Sequence, residues 1–356
     1  MATVKRSAST NRGRRKTSSK GRRPRKKTGA IGLLANPSSG KDVRRLVARA
    51  SVFDNQEKQA IVRRAIVGAV AAGASAFRYL NDRHGILANA LDEVALKVAA
   101  EPVDATDTRT ALDTISAARA MRDAKCSVVM TLGGDGTNRA FSLGWQDAPL
   151  IPISTGTNNV FPNLGEATVS GAAAGLIGSG AIALEKVASP CKMIHVEIED
   201  ERDDLALIDA VLTRDQFVGA RALLDAAAIS EILLTRADPA AVGMTSIGGL
   251  LKPLGDDEDA ALRLSLAPAA GKNITSLSAP IAPGYYQDLH VAKFQRQALG
   301  RAVIWQGPGV LAFDGERERL LAPGQKARLT VLRDGPKVVD VAKTLRLAAQ
   351  QRCFSF

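Results

Sequence analysis

The sequence predicts an α/β protein: an N-terminal doubly wound, Rossmann-like α/β domain followed by a C-terminal antiparallel β-sandwich domain. Three observations carry that expectation. Between residues 30 and 155, short apolar runs alternate with stretches of helical periodicity. Three of those runs end in polar, glycine-bearing turns. From about residue 190 the apolar spacing falls to a period of two.

Ala30–Ala35 reads as a buried strand, and it ends in the turn Asn36-Pro37-Ser38-Ser39-Gly40. Asp54 stands three residues before Glu57, a helix-start signature. Ile61, Val62, Ala65, Ile66, Ala69 and Val70 follow at helical spacing. Ala76–Leu80 reads as a second strand, Ile86–Ala100 as a second helix and Thr110–Ala124 as a third. Ser127–Leu132 is largely apolar, as strands covered on both faces are, and runs into Gly133-Gly134-Asp135-Gly136-Thr137. Leu150–Ile153 is a further strand, followed by Ser154-Thr155-Gly156-Thr157-Asn158-Asn159. Parallel sheets place their ligands at such carboxyl ends.

In the second half, Ile194, Val196 and Ile198 alternate with His195, Glu197 and Glu199, and Leu262–Leu266 alternates likewise. Two hairpins are expected. One joins Val310–Phe313 to Leu320-Leu321 around Asp314-Gly315; the other joins Ala327–Arg333 to Lys337–Val341 around Asp334-Gly335-Pro336. Gln216–Ile232 and Val341–Gln351 read as helices. The expected division is a basic tail over 1–29, the α/β domain over 30–185, the β-sandwich over 186–340 and a C-terminal helix over 341–356 packing back on the first domain.

Composition excludes several classes. The chain has 356 residues, 46% of them apolar, enough for two domains with real cores. Twelve of its 48 Lys and Arg residues lie in the first 30 positions, without one acid. The remainder carries 36 basic against 36 acidic residues, so the net charge of +12 belongs to the tail. Such a segment is too polar to fold alone. It would offer non-specific polyanion contact by counterion release, or be a solvated extension; the lack of an aromatic to stack on bases favours the latter. Three scattered cysteines and three histidines show no metal-ligand or disulfide spacing. With no apolar leader and no run long enough to span a bilayer, a cytoplasmic location is expected. His84 and His195 read as surface residues, Tyr285, Tyr286 and Trp305 as packing, and Lys41 as solvated.

The turns are neither of two common nucleotide loops. A Walker loop would need Gly and Ser or Thr where Ala35 and Asp42 stand. A dinucleotide fingerprint would need Gly where Arg139 stands. Glycines in the second turn let backbone N–H groups approach an anion, and Thr137 opens a helix whose N-terminus favours phosphate. Asp135 would repel that phosphate in a pure anion loop. It fits a loop that takes a hydroxyl proton or holds Mg²⁺, as phosphoryl transfer requires. A strand-ending turn bonded to its own backbone is the plainer reading of the same residues.

Taken in order, Asn36-Pro37-Ser38-Ser39-Gly40, Gly133 to Thr137, and Gly156-Thr157-Asn158-Asn159 resemble the motifs of the NAD kinase/diacylglycerol kinase superfamily. The strings around them look like the ATP-NAD kinase-like branch named after the acetoin catabolism protein AcoX, and the resemblance spans residues 30–345. It implies ATP bound in a cleft between the two domains, with Mg²⁺ screening its phosphates. By that resemblance Asn36, Ser38, Ser39 and Gly40 face phosphates, and Gly133, Gly134, Gly136 and Thr137 cradle ATP. Asp135 activates the acceptor hydroxyl, and Gly156, Thr157, Asn158 and Asn159 line the nucleotide or substrate site. Asp314-Gly315-Glu316 resembles the lipid-kinase triplet that carries a catalytic carboxylate, here Glu316, although Asp-Gly between apolar runs is also a common hairpin turn. The chain departs from the family at Asn159-Val160, where lipid kinases carry Asn-Asp, and at Arg139-Ala140, where they carry Asn-Glu. The implied activity is an ATP-dependent small-molecule kinase, with NAD the leading acceptor and NADP the product. A diacylglycerol-type lipid kinase and a catalytically silent nucleotide-binding accessory protein are the alternatives. A homo-oligomer is expected.

Overall fold

The structure, a computed structural model, describes residues 28–40, 54–94, 98–155, 159–162, 165–214 and 226–354. Nearly all of the basic tail lies outside these residues, as do Lys41 and most of the region expected to form the helix from Gln216.

The first domain follows the predicted alternation. Its elements run β1 (Ile31–Ala35), α1 (Asn55–Ala71), β2 (Ala76–Tyr79), α2 (Ile86–Glu93), β3 (Ala99–Pro102), α3 (Ala111–Asp123), β4 (Val128–Gly133), α4 (Asp135–Gly144), β5 (Pro149–Ser154) and α5 (Ala167–Gly178). Local signals fix the helix starts: Asp54 accepts the Glu57 amide at 2.8 Å, and Thr110 accepts the Leu112 amide at 3.2 Å. α5 was not signalled, because its run of Ala and Gly has no polar face. Those small residues let it touch α1 backbone to backbone. A β-carbon on Gly171 would lie 1.9 Å from the Ala65 carbonyl oxygen, and one on Gly68 would lie 2.0 Å from that of Thr168.

Two expectations are corrected. The helix from Ile86 stops at Glu93, and Ala99–Pro102 is an exposed edge strand of four residues, too short to show a period. The pair Ala327–Arg333 and Lys337–Val341 does not form a hairpin, as the strand partners below show.

The remaining strands are β6 (Ala188–Pro190), β7 (Met193–Ile198), β8 (Asp204–Ala206), β9 (Asp209–Thr213), β10 (Ile229–Leu234), β11 (Ala260–Ala267), β12 (Thr275–Ala282), β13 (Tyr285–Ala298), β14 (Ala302–Gln306), β15 (Gly309–Phe313), β16 (Glu316–Leu321), β17 (Lys326–Leu332) and β18 (Lys337–Val339). Helix α6 (Met244–Leu251) lies between β10 and β11, and α7 (Val341–Gln350) closes the described chain. Ile229–Ile232, expected as helix, is strand: a short apolar run reads either way.

The first sheet has the order β3-β2-β1-β4-β5-β18-β6 and is parallel up to β18. So β18 pairs with β5 rather than with β17, and the chain crosses back to the first domain at Asp334–Pro336. The strand order reverses between β1 and β4, which is where a doubly wound sheet opens a ligand crevice. The first two polar turns follow those two strands. In the second domain, the antiparallel sheet β12-β13-β11-β10-β9-β15-β16 packs on the sheet β14-β17-β7-β8. Val196, Leu212, Trp305, Leu311, Phe313 and Leu329 lie in the layer between them. Its other face is covered by α6 through Met244 and Ile247. Ala348 of α7 is buried in the core of the first domain.

Candidate active site

Three loops meet at the carboxyl ends of β1, β4 and β5, and hydrogen bonds join them in pairs. The first is a turn built by Asn36. Its Oδ1 accepts the Ser38 amide at 2.9 Å, and its carbonyl accepts the Ser39 hydroxyl at 2.8 Å. Gly40 ends the turn with φ of +78°. Lys58 on α1 is wholly buried beneath it and donates to the carbonyls of Asn36 at 3.1 Å and Pro37 at 2.7 Å. Those oxygens would repel a phosphate, and the ammonium turns them inward. Lys58 went unremarked in the sequence, yet it carried a signal: it stands three and four residues before Ile61 and Val62, in phase with the apolar face of α1.

The second loop joins β4 to α4. Gly133 ends the strand, Gly134 caps the helix and Asp135, Gly136 and Thr137 form its first turn. Amides of a first helical turn have no intrahelical acceptor and favour an anion. The Asn36 Nδ2 donates to Thr137 Oγ1 at 2.9 Å, so the first two turns are one unit.

The third loop follows β5. Gly156, Thr157 and Asn158 lie outside the described residues. Asn159 is described; its Nδ2 donates to Ser154 Oγ at 2.8 Å. Its Oδ1 lies 2.8 Å from where a β-carbon on Gly134 would stand, so a side chain there would collide with it. The Asp135 carboxylate accepts the amides of Val160, at 3.0 and 3.1 Å, and of Phe161, at 2.8 Å. Asp135 is therefore engaged with the third loop.

The second domain adds the Asp-Gly-Glu triplet. Asp314 and Gly315 have φ of +49° and +83°, the two-residue turn between β15 and β16 that the sequence suggested. The same turn carries Glu316 to the site: its Oε1 lies 3.5 Å from the β-carbon position of Gly136. Glu316 pairs through its backbone with Phe313, and its carboxylate makes no hydrogen bond or ion pair with another described residue. Asp314 points the other way, is buried, and accepts the amides of Leu207, Ile208 and Asp209 at 2.7–3.2 Å. Burial pushes its carboxyl up to about 6; the Leu207 and Ile208 amides and the Arg139 guanidinium oppose the rise and Asp135 adds to it. The role of Asp314 as an anchor was not legible in the sequence.

Arg139 of α4 reaches into the second domain. Its Nε donates to the Leu205 carbonyl at 2.7 Å, its Nη2 pairs with Asp204 at 2.6 Å, and its Cζ lies 5.1 Å from the Phe313 ring centroid. Among the described residues, no cluster of three or more His, Cys, Asp or Glu side chains could hold a metal ion, and no helix is long and apolar enough to cross a membrane.

Comparison with known proteins places the two halves. Residues 31–181 match the family described as ATP-NAD kinase N-terminal domain, and residues 192–334 match the acetoin catabolism protein X C-terminal domain. Over 332 residues the chain is 35% identical to acetoin catabolism protein X of Cupriavidus necator, covering 90% of this chain and 92% of that one. A crystal structure of yeast NADH kinase complexed with NADH is similar at 12% identity and a TM-score of 0.44, over 92% of this chain and 88% of that one. A diacylglycerol kinase structure from Bacillus anthracis is similar at 12% identity and a TM-score of 0.41, over 88% and 97%.

Proposed function

The chain belongs to the family of acetoin catabolism protein X, with an ATP-NAD kinase N-terminal domain, and on that premise we propose that it transfers the terminal phosphoryl group of ATP to a hydroxyl of a small molecule. The observation that carries the reading is the joining of the three loops. Asn36 is bonded to Thr137 and Asp135 to Val160 and Phe161, with a carboxylate of the second domain at Gly136. NAD is the acceptor of first choice, phosphorylated on the 2′-hydroxyl of its adenosine ribose to give NADP.

In this reading the phosphates lie over the Asn36–Gly40 turn and the start of α4, where backbone amides and the helix dipole offset their charge. Asn159 borders the same space, and Gly156, Thr157 and Asn158 are assigned to it by the family resemblance alone. The acceptor oxygen bonds to the terminal phosphorus as the bridge to the second phosphate breaks, and the hydroxyl proton goes to a carboxylate. Glu316 is the better placed to take it, because its carboxylate has no other partner among the described residues, whereas both oxygens of Asp135 already accept loop amides. Asp135 then orients the acceptor and the third loop. Mg²⁺ fits this donor set, since it is held by one or two carboxylates together with substrate phosphates rather than by a protein cage. Asp135 would supply such a carboxylate, and the ion would neutralise phosphate charge.

A second acceptor class has an observation of its own: the Asp-Gly-Glu turn at the site favours a diacylglycerol-type hydroxyl. Formation of NADP from NAD, ATP and Mg²⁺, run beside diacylglycerol as acceptor, separates the two. Product from NAD alone supports the first reading. An ATP-binding protein that phosphorylates neither is the silent accessory protein.

A further inference from the structure

Arg139 belongs to α4, the helix that begins the glycine loop, yet its side chain is spent on the second domain. It is only 8% exposed. It pairs with Asp204, whose own side chain is 6% exposed, and donates to the carbonyl of Leu205 on the same strand. Its guanidinium lies on the ring of Phe313, the residue directly before the Asp314-Gly315-Glu316 turn. The strands on either side of that guanidinium are themselves stitched together. Asp314 accepts the amides of Leu207, Ile208 and Asp209, which follow Leu205 in the chain, and the Asp314 amide donates to the Asp209 carbonyl at 3.0 Å. Arg319 on β16 joins the same group through Asp204 at 3.4 Å and Glu201 at 3.5 Å. One cation from the first domain thus sits among two buried carboxylates and an aromatic ring of the second. Its backbone is three residues from Gly136, beside which the Glu316 carboxylate stands.

We propose that Arg139 is a positioning residue: it fastens the Asp314–Glu316 turn to the start of α4 and so sets where the Glu316 carboxylate stands relative to the glycine loop. A guanidinium suits this task where an ammonium does not. It bonds Leu205 and Asp204 from adjacent nitrogens in one plane while its Cζ lies over the Phe313 ring. The surrounding residues fix the second domain's share of the contact without reference to the first, so Arg139 is the adjustable link between a rigid turn and a rigid helix. The consequence for turnover rests on the phosphotransferase reading; the geometric claim does not.

Two measurements on the full chain separate these. In a Cys353→Ser background, Gly136→Cys with Glu316→Cys is treated with a short bifunctional thiol reagent, with Arg at 139 and then with Arg139→Lys. The cross-link should form about tenfold more slowly with lysine, as expected when one member of a coupled contact is lost. Equal rates would overturn the proposal. Asp204→Asn, which keeps the side-chain shape and removes the charge, gives the same comparison if the lysine variant folds poorly. In the otherwise native chain, Arg139→Lys should lower kcat about 100-fold, the usual cost of a misplaced group, with the KM for ATP unchanged. Arg139→Lys combined with Glu316→Gln should be no slower than Glu316→Gln alone, because the arginine acts through the glutamate. Losses that multiply would overturn the positioning role. If the unaltered protein transfers no phosphate to either acceptor, the kinase reading falls, and the cross-linking rates alone decide the place of Arg139.

Discussion

The amide of Phe161 donates to Oδ1 of Asp135 at 2.8 Å, so the acid of the glycine loop holds the third loop. Asp135→Asn removes the charge and presents an amide where two N–H groups point. The expected result is a loss in kcat of about 10²- to 10⁴-fold together with a raised KM, because chemistry and loop position are struck at once. Steady-state kinetics with NAD varied checks both. A kcat loss with KM unchanged would mean that the loop stands without the carboxylate.

Glu316→Gln makes the opposite pattern. The Glu316 carboxylate has no partner among the described residues, so the melting temperature should stay where it is. The kcat should fall by about 10²- to 10⁴-fold, as when a general base is removed. An unaltered kcat would transfer the base role to Asp135.

Asn36→Ala severs the bond to Thr137 and the turn made with Ser38. The Ser38 amide is left to water, but Thr137 is buried, so the stability cost is about 1–3 kcal/mol. The KM for ATP should rise about tenfold while the acceptor KM holds. An acceptor effect of equal size would move the turn out of the phosphate site.

The sequence was most informative where structure is local. The caps at Asp54 and Thr110, the alternating strand β11 and the Asp314-Gly315 turn all depend on residues within a few positions of one another. β3 and β18 were misread because their partners are distant: four exposed residues find β2, and three residues after a Gly-Pro turn cross to β5 rather than back to β17. α5 was invisible because close helix packing selects Ala and Gly, which blunt the periodic signal. The glycine loops themselves were legible. What joined them was not: the Asn36–Thr137 contact spans 101 positions, and nothing local marks it.

The packing of α1 on α5 offers a test far from the chemistry. In Gly171→Ala the new methyl would meet the Ala65 carbonyl oxygen at 1.9 Å, which backbone cannot yield without moving a helix. Overpacking of this kind costs about 1–3 kcal/mol and should lower the midpoint of urea unfolding, with the denaturant slope unchanged. A midpoint at or above that of the unaltered chain would show that the two helices can separate at no cost.

Asp314 gives folding a pH dependence whose sign can be worked out. Burial raises its folded-state value to about 6, whereas an aspartate in an unfolded chain titrates near about 4. Between those values the folded protein binds a proton that the unfolded chain has lost. The stability this provides is complete below the unfolded value and disappears as the pH rises through the folded one. Other carboxylates titrate in the same window, so the comparison must be with Asp314→Asn, which cannot titrate. The unfolding free energy of the unaltered protein, minus that of the variant, should fall by on the order of 1–3 kcal/mol between pH 4 and pH 7.5. The amides of Leu207, Ile208 and Asp209 all donate to this carboxylate, and they stabilise its ionised form. If those bonds outweigh burial, the difference would instead rise with pH, and Asp314 would be ionised throughout the working range of the protein.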